Sequence, residues 1–313
     1  MRDVSSSLRL AFAGSPEVAL PTLEALVGSR HEVVVAVSRA DSPKGRRGVL
    51  TPTPVAARAA ELGIPVVKAD RLDEAATAAI CEFEPDLGVI VAYGGMVREP
   101  LLSTPRLGWI NLHFSLLPRW RGAAPVQHAI IAGDTTTGLS VFQLVPELDA
   151  GVIYAQLEWP IERFQTSGSL LAELADAGAD VLAHVVDRLA DGTAVGVPQV
   201  GEVTYAGKLG LADGRLDWSR PGEELDRRIR GVTPEPGAWT LLDGERFKIL
   251  EAALVHDAAP VAPGHVISAG RRVLVGTGSQ PLELIRVHPA GRKAMPAADW
   301  LRGRQDSGEV VLG

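Results

Sequence analysis

Residues 87–95 read Leu87-Gly88-Val89-Ile90-Val91-Ala92-Tyr93-Gly94-Gly95. An uncharged apolar run closed by a pair of glycines is the pattern of a strand buried on both faces that ends in a tight turn. Working outward, the same kind of run recurs at Leu8 to Ala13 (closed by Gly14), Val33 to Val37, Ile64 to Val67 and Trp109 to His113. The segments between them read as helices. Ser15-Pro16-Glu17 predicts a helix start, with Ser15 as the cap, Pro16 at the first helical position and an acid in the first turn. That helix extends to about Leu26, and Pro21 makes its first turns irregular. Val55 to Leu62, Asp73 to Glu82 and Ala124 to Ala132 give three more helices. Strands alternating with helices predict an α/β, Rossmann-like unit, its mostly parallel sheet covered by helices on both faces. Active sites of such sheets lie beyond the carboxyl ends of the strands. Gly14, Tyr93-Gly94-Gly95 and Asn111-Leu112-His113 all fall there.

Side chains two apart on a strand share a face, so Asn111 and His113 point together. An amide donor beside an imidazole suits acyl transfer. The amide hydrogen-bonds a developing oxyanion, and the imidazole moves a proton between attacking and leaving nitrogens. Asn-x-His alone is better read as a hydrogen-bonded strand end.

The wider stretch carries more information. Asn111-Leu112-His113-Phe114-Ser115-Leu116-Leu117-Pro118-Arg119-Trp120-Arg121-Gly122-Ala123-Ala124-Pro125 resembles the signature of the folate-dependent formyltransferases, in which Ser-Leu-Leu-Pro and the following Arg-Gly are diagnostic. The resemblance implies Asn111, His113 and Asp149 as the catalytic residues, Asp149 lying in the matching loop Leu148-Asp149-Ala150-Gly151. A carboxylate there would orient His113, favour its protonated form, or hold a water for proton relay. It implies 10-formyltetrahydrofolate as formyl donor, with Val91, Tyr93 and Gly94 along the pterin ring and Ser115, Leu116, Leu117 and Pro118 forming an apolar wall. Phe12-Ala13-Gly14-Ser15-Pro16 resembles the family's opening turn. Departures are Phe114 in a slot that often holds a small residue, Pro146-Glu147-Leu148 before the aspartate, Gly207 before Lys208, and Ser42-Pro43 in the basic loop.

Within that family the chain is most similar to the enzymes that act on initiator methionyl-tRNA. Arg39 to Gly48 is a basic, glycine-rich loop, and the resemblance implies that Arg46 and Arg47 contact the acceptor end. A second domain follows, with Tyr205-Ala206-Gly207-Lys208, Leu216-Asp217-Trp218, Arg227-Arg228-Ile229-Arg230, Pro236-Gly237-Ala238-Trp239-Thr240 and Gly291-Arg292-Lys293-Ala294-Met295 matching in order and spacing. Lys208, Arg292 and Lys293 are the candidate tRNA contacts, with Arg271 and Arg272 beside them. Short apolar runs at Ala238 to Leu242, Phe247 to Ala252, 264–267, Arg272 to Val275 and Leu282 to Val287 predict a small C-terminal β-barrel, OB-like, which is a common nucleic-acid platform. The expected organisation is a catalytic domain over 1–192, a linker over 193–207 and the barrel over 208–313. A formyltransferase acting on an amino-sugar nucleotide shares the catalytic core, and a non-catalytic RNA-binding relative shares the fold. The matched second domain argues against the former and the retained catalytic residues against the latter.

Bulk properties bound these readings. The chain has 313 residues and a net charge of −7. From Gly201 onward 15 basic residues balance 15 acidic ones, so the excess acid lies in the first part and the second is left neutral. The single cysteine, Cys81, excludes a disulfide framework within the chain and cysteine-based metal sites. His128, His184, His265 and His288 lack metal spacing, so no metal is expected. No apolar run is long enough to span a membrane, and Met1-Arg2-Asp3-Val4 does not open a signal peptide. A cytoplasmic monomer is the expectation.

Overall fold

The structure, a computed structural model, describes residues 7–44, 48–304 and 309–313. The chain divides into two compact units. The first holds the residues up to Pro125, Thr136–Pro160 and Leu171–Ala206; the second holds Val126–Thr135, Ile161–Leu170 and Gly207–Gly313.

The first unit is built on a seven-stranded sheet. Its order is Ile153–Pro160, Thr136–Gln143, Trp109–His113, Leu87–Val91, Arg9–Gly14, Glu32–Ser38 and Val66–Lys68. The last five run parallel, and the first two are antiparallel to their neighbours. The strand Leu87–Val91 sits at the centre and is buried throughout. Gly88 explains why it lacks a side chain there: an added Cβ would fall 2.0 Å from the Trp109 ring on the neighbouring strand. Trp109 is itself fully buried, and its indole donates to the Leu101 carbonyl at 2.8 Å.

Two helices of this unit open on capping side chains. Thr53 accepts from Ala56 N ahead of Pro54–Glu61, and Asp73 accepts from Ala76 N ahead of Glu74–Cys81. Ser15 is the exception. The chain after it enters a 3₁₀ turn, Glu17–Ala19, then the helix Leu20–Val27 with Pro21 in its first turn. Instead of capping, the Ser15 hydroxyl donates to the Tyr93 carbonyl at 3.2 Å and accepts from Arg39 N at 3.2 Å. It ties together three strand ends at the carboxyl edge of the sheet. The strand Ile153–Pro160 had no expected counterpart. Of the stretch 193–207, read above as a linker, residues 193–206 lie on the first unit. Ile153 bridges Val197, and Tyr205–Ala206 pairs in parallel with Arg121–Gly122.

A buried histidine in this unit carries a pH dependence. Leu8 N donates to His31 Nδ1 at 3.1 Å, so the proton of the neutral ring sits on Nε2, 3.1 Å from Asp187 Oδ1. Burial pushes the imidazole below its ordinary value, against the pull of Asp187. The unfolded chain therefore binds a proton that the folded chain refuses. Stability is full above about pH 6.5 and falls as the pH drops below it, by at most about 1.4 kcal/mol per pH unit for this group. Urea midpoints at pH 7.5 and 5.5 should differ accordingly. The His31→Asn variant should show a smaller difference; an unchanged one would clear His31 as its source.

The second unit is an antiparallel sheet in the order Ala238–Leu242, Glu245–Leu254, Leu282–His288, Arg272–Val275, His265–Ala269 and Val310–Val311, with Met295–Pro296 added beside Leu282–His288. Beyond Val311 the backbone returns to the first strand. Leu241 N donates to Gly313 O at 2.8 Å and Gly313 N to Leu241 O at 3.0 Å, closing the sheet on itself. Two helices, Gly222–Gly231 and Ala297–Arg302, cover it. Leu225, Ile229, Trp218, Phe247 and Trp300 fill the core, the last two with ring centroids 4.6 Å apart.

Candidate active site

The site is assembled at the carboxyl end of Trp109–His113. In register, Ile90 lies opposite Asn111 on one side, and Ser140 lies opposite His113 on the other. Asn111 is half-buried and His113 is buried. The His113 ring stands edge-on to Phe142, centroids 6.3 Å apart.

Both imidazole nitrogens have partners. Nε2 lies 2.9 Å from the Trp120 carbonyl. A carbonyl only accepts, so Nε2 carries the hydrogen and Nδ1 presents a lone pair. Nδ1 faces Asp149 Oδ2 at 3.9 Å. Burial holds the imidazole below its ordinary pKa, while the Asp149 charge and the Trp120 carbonyl pull it back up. The ring is therefore predominantly neutral near pH 7, beside a carboxylate that stabilises it once it takes a proton.

Asp149 sits in a loop whose backbone is tightly specified. Its φ is +47°. Two residues on, an added Cβ at Gly151 would lie 1.8 Å from the Gln143 carbonyl, so the loop passes too close to the sheet for any side chain. The Asp149 carboxylate accepts from Gly122 N at 2.7 Å. Gly122 has φ +121°, and a Cβ there would meet the Ala206 carbonyl at 2.6 Å. The Arg-Gly of the sequence signature is thus the place where the loop after His113 turns, pairs with Tyr205–Ala206 and grips the aspartate.

The Ser115-to-Pro118 turn is braced from beneath. Ser140 Oγ donates to the Ser115 carbonyl at 2.6 Å and accepts from Leu117 N at 3.1 Å. Gln156 Nε2 donates to the Leu117 carbonyl and to Ser140 Oγ, each at 3.0 Å. The Ser115 hydroxyl donates to Arg119 O at 2.6 Å and is fully buried, so it shapes the turn rather than facing solvent. Leu116, Leu117 and Pro118 line a cleft of about 530 Å³ with Arg119, Gln156, Glu158 and Val200 to Glu202.

Val91, Tyr93 and Gly94 do not line that cleft. Val91 is buried. The Tyr93 ring points into the core, and its hydroxyl donates to the Ala69 carbonyl at 2.6 Å. The Tyr93 and Gly94 carbonyls already accept from Ser15 and Arg39. Only backbone remains to meet a ligand at this loop, which turns through Ala92 at φ +48° and Gly94 at φ +81°.

Arg46 and Arg47 lie outside the described residues. Their flanks, Ser42–Lys44 and Val49–Thr51, pair as a short antiparallel hairpin. Lys208, Arg292 and Lys293 are exposed on the second unit. Arg292 lines a cleft of about 310 Å³ with Arg246, Arg304, Asp243 and Trp300; Lys208 and Lys293 do not. Arg271 is exposed, and Arg272 pairs with Asp257.

Sequence reasoning missed the polar residues that support the site: Ser140, Gln156, Gln199 and Thr204. No local signal marked Gln199 or Thr204: they meet the site through Asp149, 50 residues away, and Trp120, 84 residues away.

Comparison with known proteins extends to both units. Residues 8–186 match the Formyl transferase family model, and residues 208–305 match that of Formyl transferase, C-terminal domain. The chain is 58% identical to the methionyl-tRNA formyltransferase of Leifsonia xyli subsp. xyli, over 97% of this chain and 100% of that protein. It is 50% identical to that of Thermobifida fusca, over 95% of this chain and 96% of that protein. Among solved structures it resembles HypX from Aquifex aeolicus (TM-score 0.67, 18% identity, 97% of this chain and 48% of that one). It also resembles an N-formyltransferase from Helicobacter canadensis (TM-score 0.67, 15% identity, 88% and 98%). At those identities the likeness is one of fold.

Proposed function

Since this chain belongs to the formyl transferase family, we propose that it transfers a formyl group from 10-formyltetrahydrofolate to the amino group of methionine on initiator methionyl-tRNA. The observation that carries the chemistry is the buried His113 facing the half-buried Asp149 at 3.9 Å, at the end of the strand that holds Asn111. The acceptor is supported by near-full-length relatives that act on methionyl-tRNA, and by the second unit with its exposed Lys208, Arg292 and Lys293.

In this reading the neutral α-amine attacks the formyl carbon. Asn111, whose amide makes no hydrogen bond to another described residue, donates to the oxyanion of the tetrahedral intermediate. His113 Nδ1 takes the proton from the attacking nitrogen, and Asp149 stabilises the resulting imidazolium. The same proton passes to N10 of the folate as the C–N10 bond breaks, releasing tetrahydrofolate and formyl-methionyl-tRNA. No metal enters the step. The turn at Ser115 to Pro118 and the backbone at Val91, Tyr93 and Gly94 are assigned to the folate, and Arg46, Arg47, Lys208, Arg292 and Lys293 to the tRNA. The site of action is the cytoplasm, with the enzyme working as a monomer; among the described residues no helix is long and apolar enough to cross a membrane.

The test is direct. The protein is incubated with 10-formyltetrahydrofolate and methionine-charged initiator tRNA, and formyl-methionine is measured after deacylation. Parallel arms carry elongator methionyl-tRNA and an amino-sugar nucleotide. Formylation of the initiator species is expected. Formylation of the amino sugar alone would overturn the acceptor.

A further inference from the structure

We propose that Gln199 and Thr204 are positioning residues that set the partner of each nitrogen of the His113 ring. This rests on the catalytic reading above. The two side chains lie on one short segment that returns to the site from far along the chain, and each acts on a different edge of the imidazole.

Gln199 acts on the Asp149 side. Its Nε2 donates to the Asp149 carbonyl at 2.7 Å and to the Gly151 carbonyl at 3.0 Å. Its Oε1 accepts from Arg121 Nε at 3.2 Å and from Arg121 Nη2 at 2.6 Å. Both ends of the amide are thereby used, which fixes its orientation as well as its place. The result is a clamp across the loop, with Asp149 and Gly151 on one side and the Arg121-Gly122 turn on the other. The two residues it joins are the ones that matter for the carboxylate, since Gly122 N is the donor to Asp149 Oδ2. Asp149 adopts a positive φ, which its neighbours must hold against the ordinary preference of a side-chain-bearing residue.

Thr204 acts on the other edge. Its Oγ1 accepts from Trp120 N at 2.9 Å, and its carbonyl accepts from Arg121 N at 2.9 Å. Trp120 also has a positive φ, +61°. The Trp120 carbonyl is what holds the Nε2 hydrogen, and so leaves Nδ1 free for the proton in transit. Tautomer and carboxylate position are thus both set from outside the first ring of residues, as ligand-orienting second partners are in metal sites.

The experiment compares Gln199→Leu, Gln199→Glu, Thr204→Val and Thr204→Ser with the wild type. Steady-state formyl transfer is measured alongside hydrogen exchange at the Gly122 amide. Gln199→Leu should lower kcat by about 10- to 100-fold, with KM for folate and tRNA within about twofold, and should speed exchange at Gly122. Gln199→Glu keeps an acceptor for Arg121 but has no donor for the two carbonyls, so it should resemble the leucine variant. A near-wild-type glutamate variant would overturn the clamp. Thr204→Val should also lower kcat, and Thr204→Ser, which keeps the hydroxyl, should restore it. Equal activity in the valine and serine variants would overturn the Thr204 role. The Thr204 pair decides the matter if a Gln199 variant does not fold. Gly122 exchange needs no substrate. A wild type that does not formylate methionyl-tRNA would sink the acceptor assignment, while unchanged Gly122 exchange in Gln199→Leu would sink the clamp.

Discussion

Replacing His113 is expected to slow formyl transfer by about 10³-fold, within the range that a positioned acid–base group contributes. Alanine leaves a hole beside Phe142 and removes the Trp120 contact, so the cleaner variant is His113→Gln. Its amide nitrogen reproduces the Nε2 donor to the Trp120 carbonyl, but it has no site that takes a proton near pH 7. Stability should stay close to wild type while kcat collapses, with folate binding unchanged within about twofold. Retention of more than about a tenth of the activity in His113→Gln would remove the proton-transfer role. The pH profile adds a sign. The working form is the neutral ring, which burial favours by lowering the pKa. The rate should therefore fall on the acid side as the ring charges, and that limb should be absent from the glutamine variant.

The second large effect is expected for Gly122→Ala. The backbone there has φ +121°, a region that residues with a side chain occupy at a cost of roughly 1–3 kcal/mol. The added methyl would meet the Ala206 carbonyl at 2.6 Å. The strand pair Arg121–Gly122 with Tyr205–Ala206 must separate, or the peptide must turn. Either movement withdraws the donor from Asp149 Oδ2. Displacements of about 1 Å at a reacting centre cost on the order of 10²-fold, so kcat should fall by that amount and the melting temperature by a few degrees. A variant that melts earlier with kcat intact would show that Gly122 serves packing alone.

Much of this was legible in the sequence. The parallel strands announced themselves because a strand buried on both faces must be apolar along its whole length. Leu87–Val91 is the clearest case, buried throughout, while Trp109–His113 departs from it only where Asn111 and His113 reach the sheet edge. The helices Pro54–Glu61 and Glu74–Cys81 were readable because the signals that open a helix are local. Ser15 was misread for the opposite reason. Its hydroxyl serves the Tyr93 carbonyl and Arg39 N, two contacts that exist only once distant strands have come together. The edge strand Ile153–Pro160 alternates half-buried with exposed residues and leaves a weaker trace than the central strands. The helix Gly222–Gly231, opened by glycine and rich in charge, hides its core face in Leu225 and Ile229 alone. Gln199 and Thr204 were invisible as site residues because nothing local distinguishes a polar side chain that meets a loop from one that meets water.

The return of Gln199 and Thr204 has a consequence for how the molecule is made. Synthesis runs from one end, and Trp120 emerges 84 residues before Thr204, Asp149 50 residues before Gln199. At about 5–20 residues per second the histidine's carbonyl partner waits roughly 4–17 s for the hydroxyl that fixes it. The sheet strands are all made by Pro160, and the helix Ser167–Ala190 that packs on Leu112 and Leu139 follows, both ahead of the segment that completes the site. Activity thus arrives late in synthesis, with a segment that contributes no strand to the main sheet.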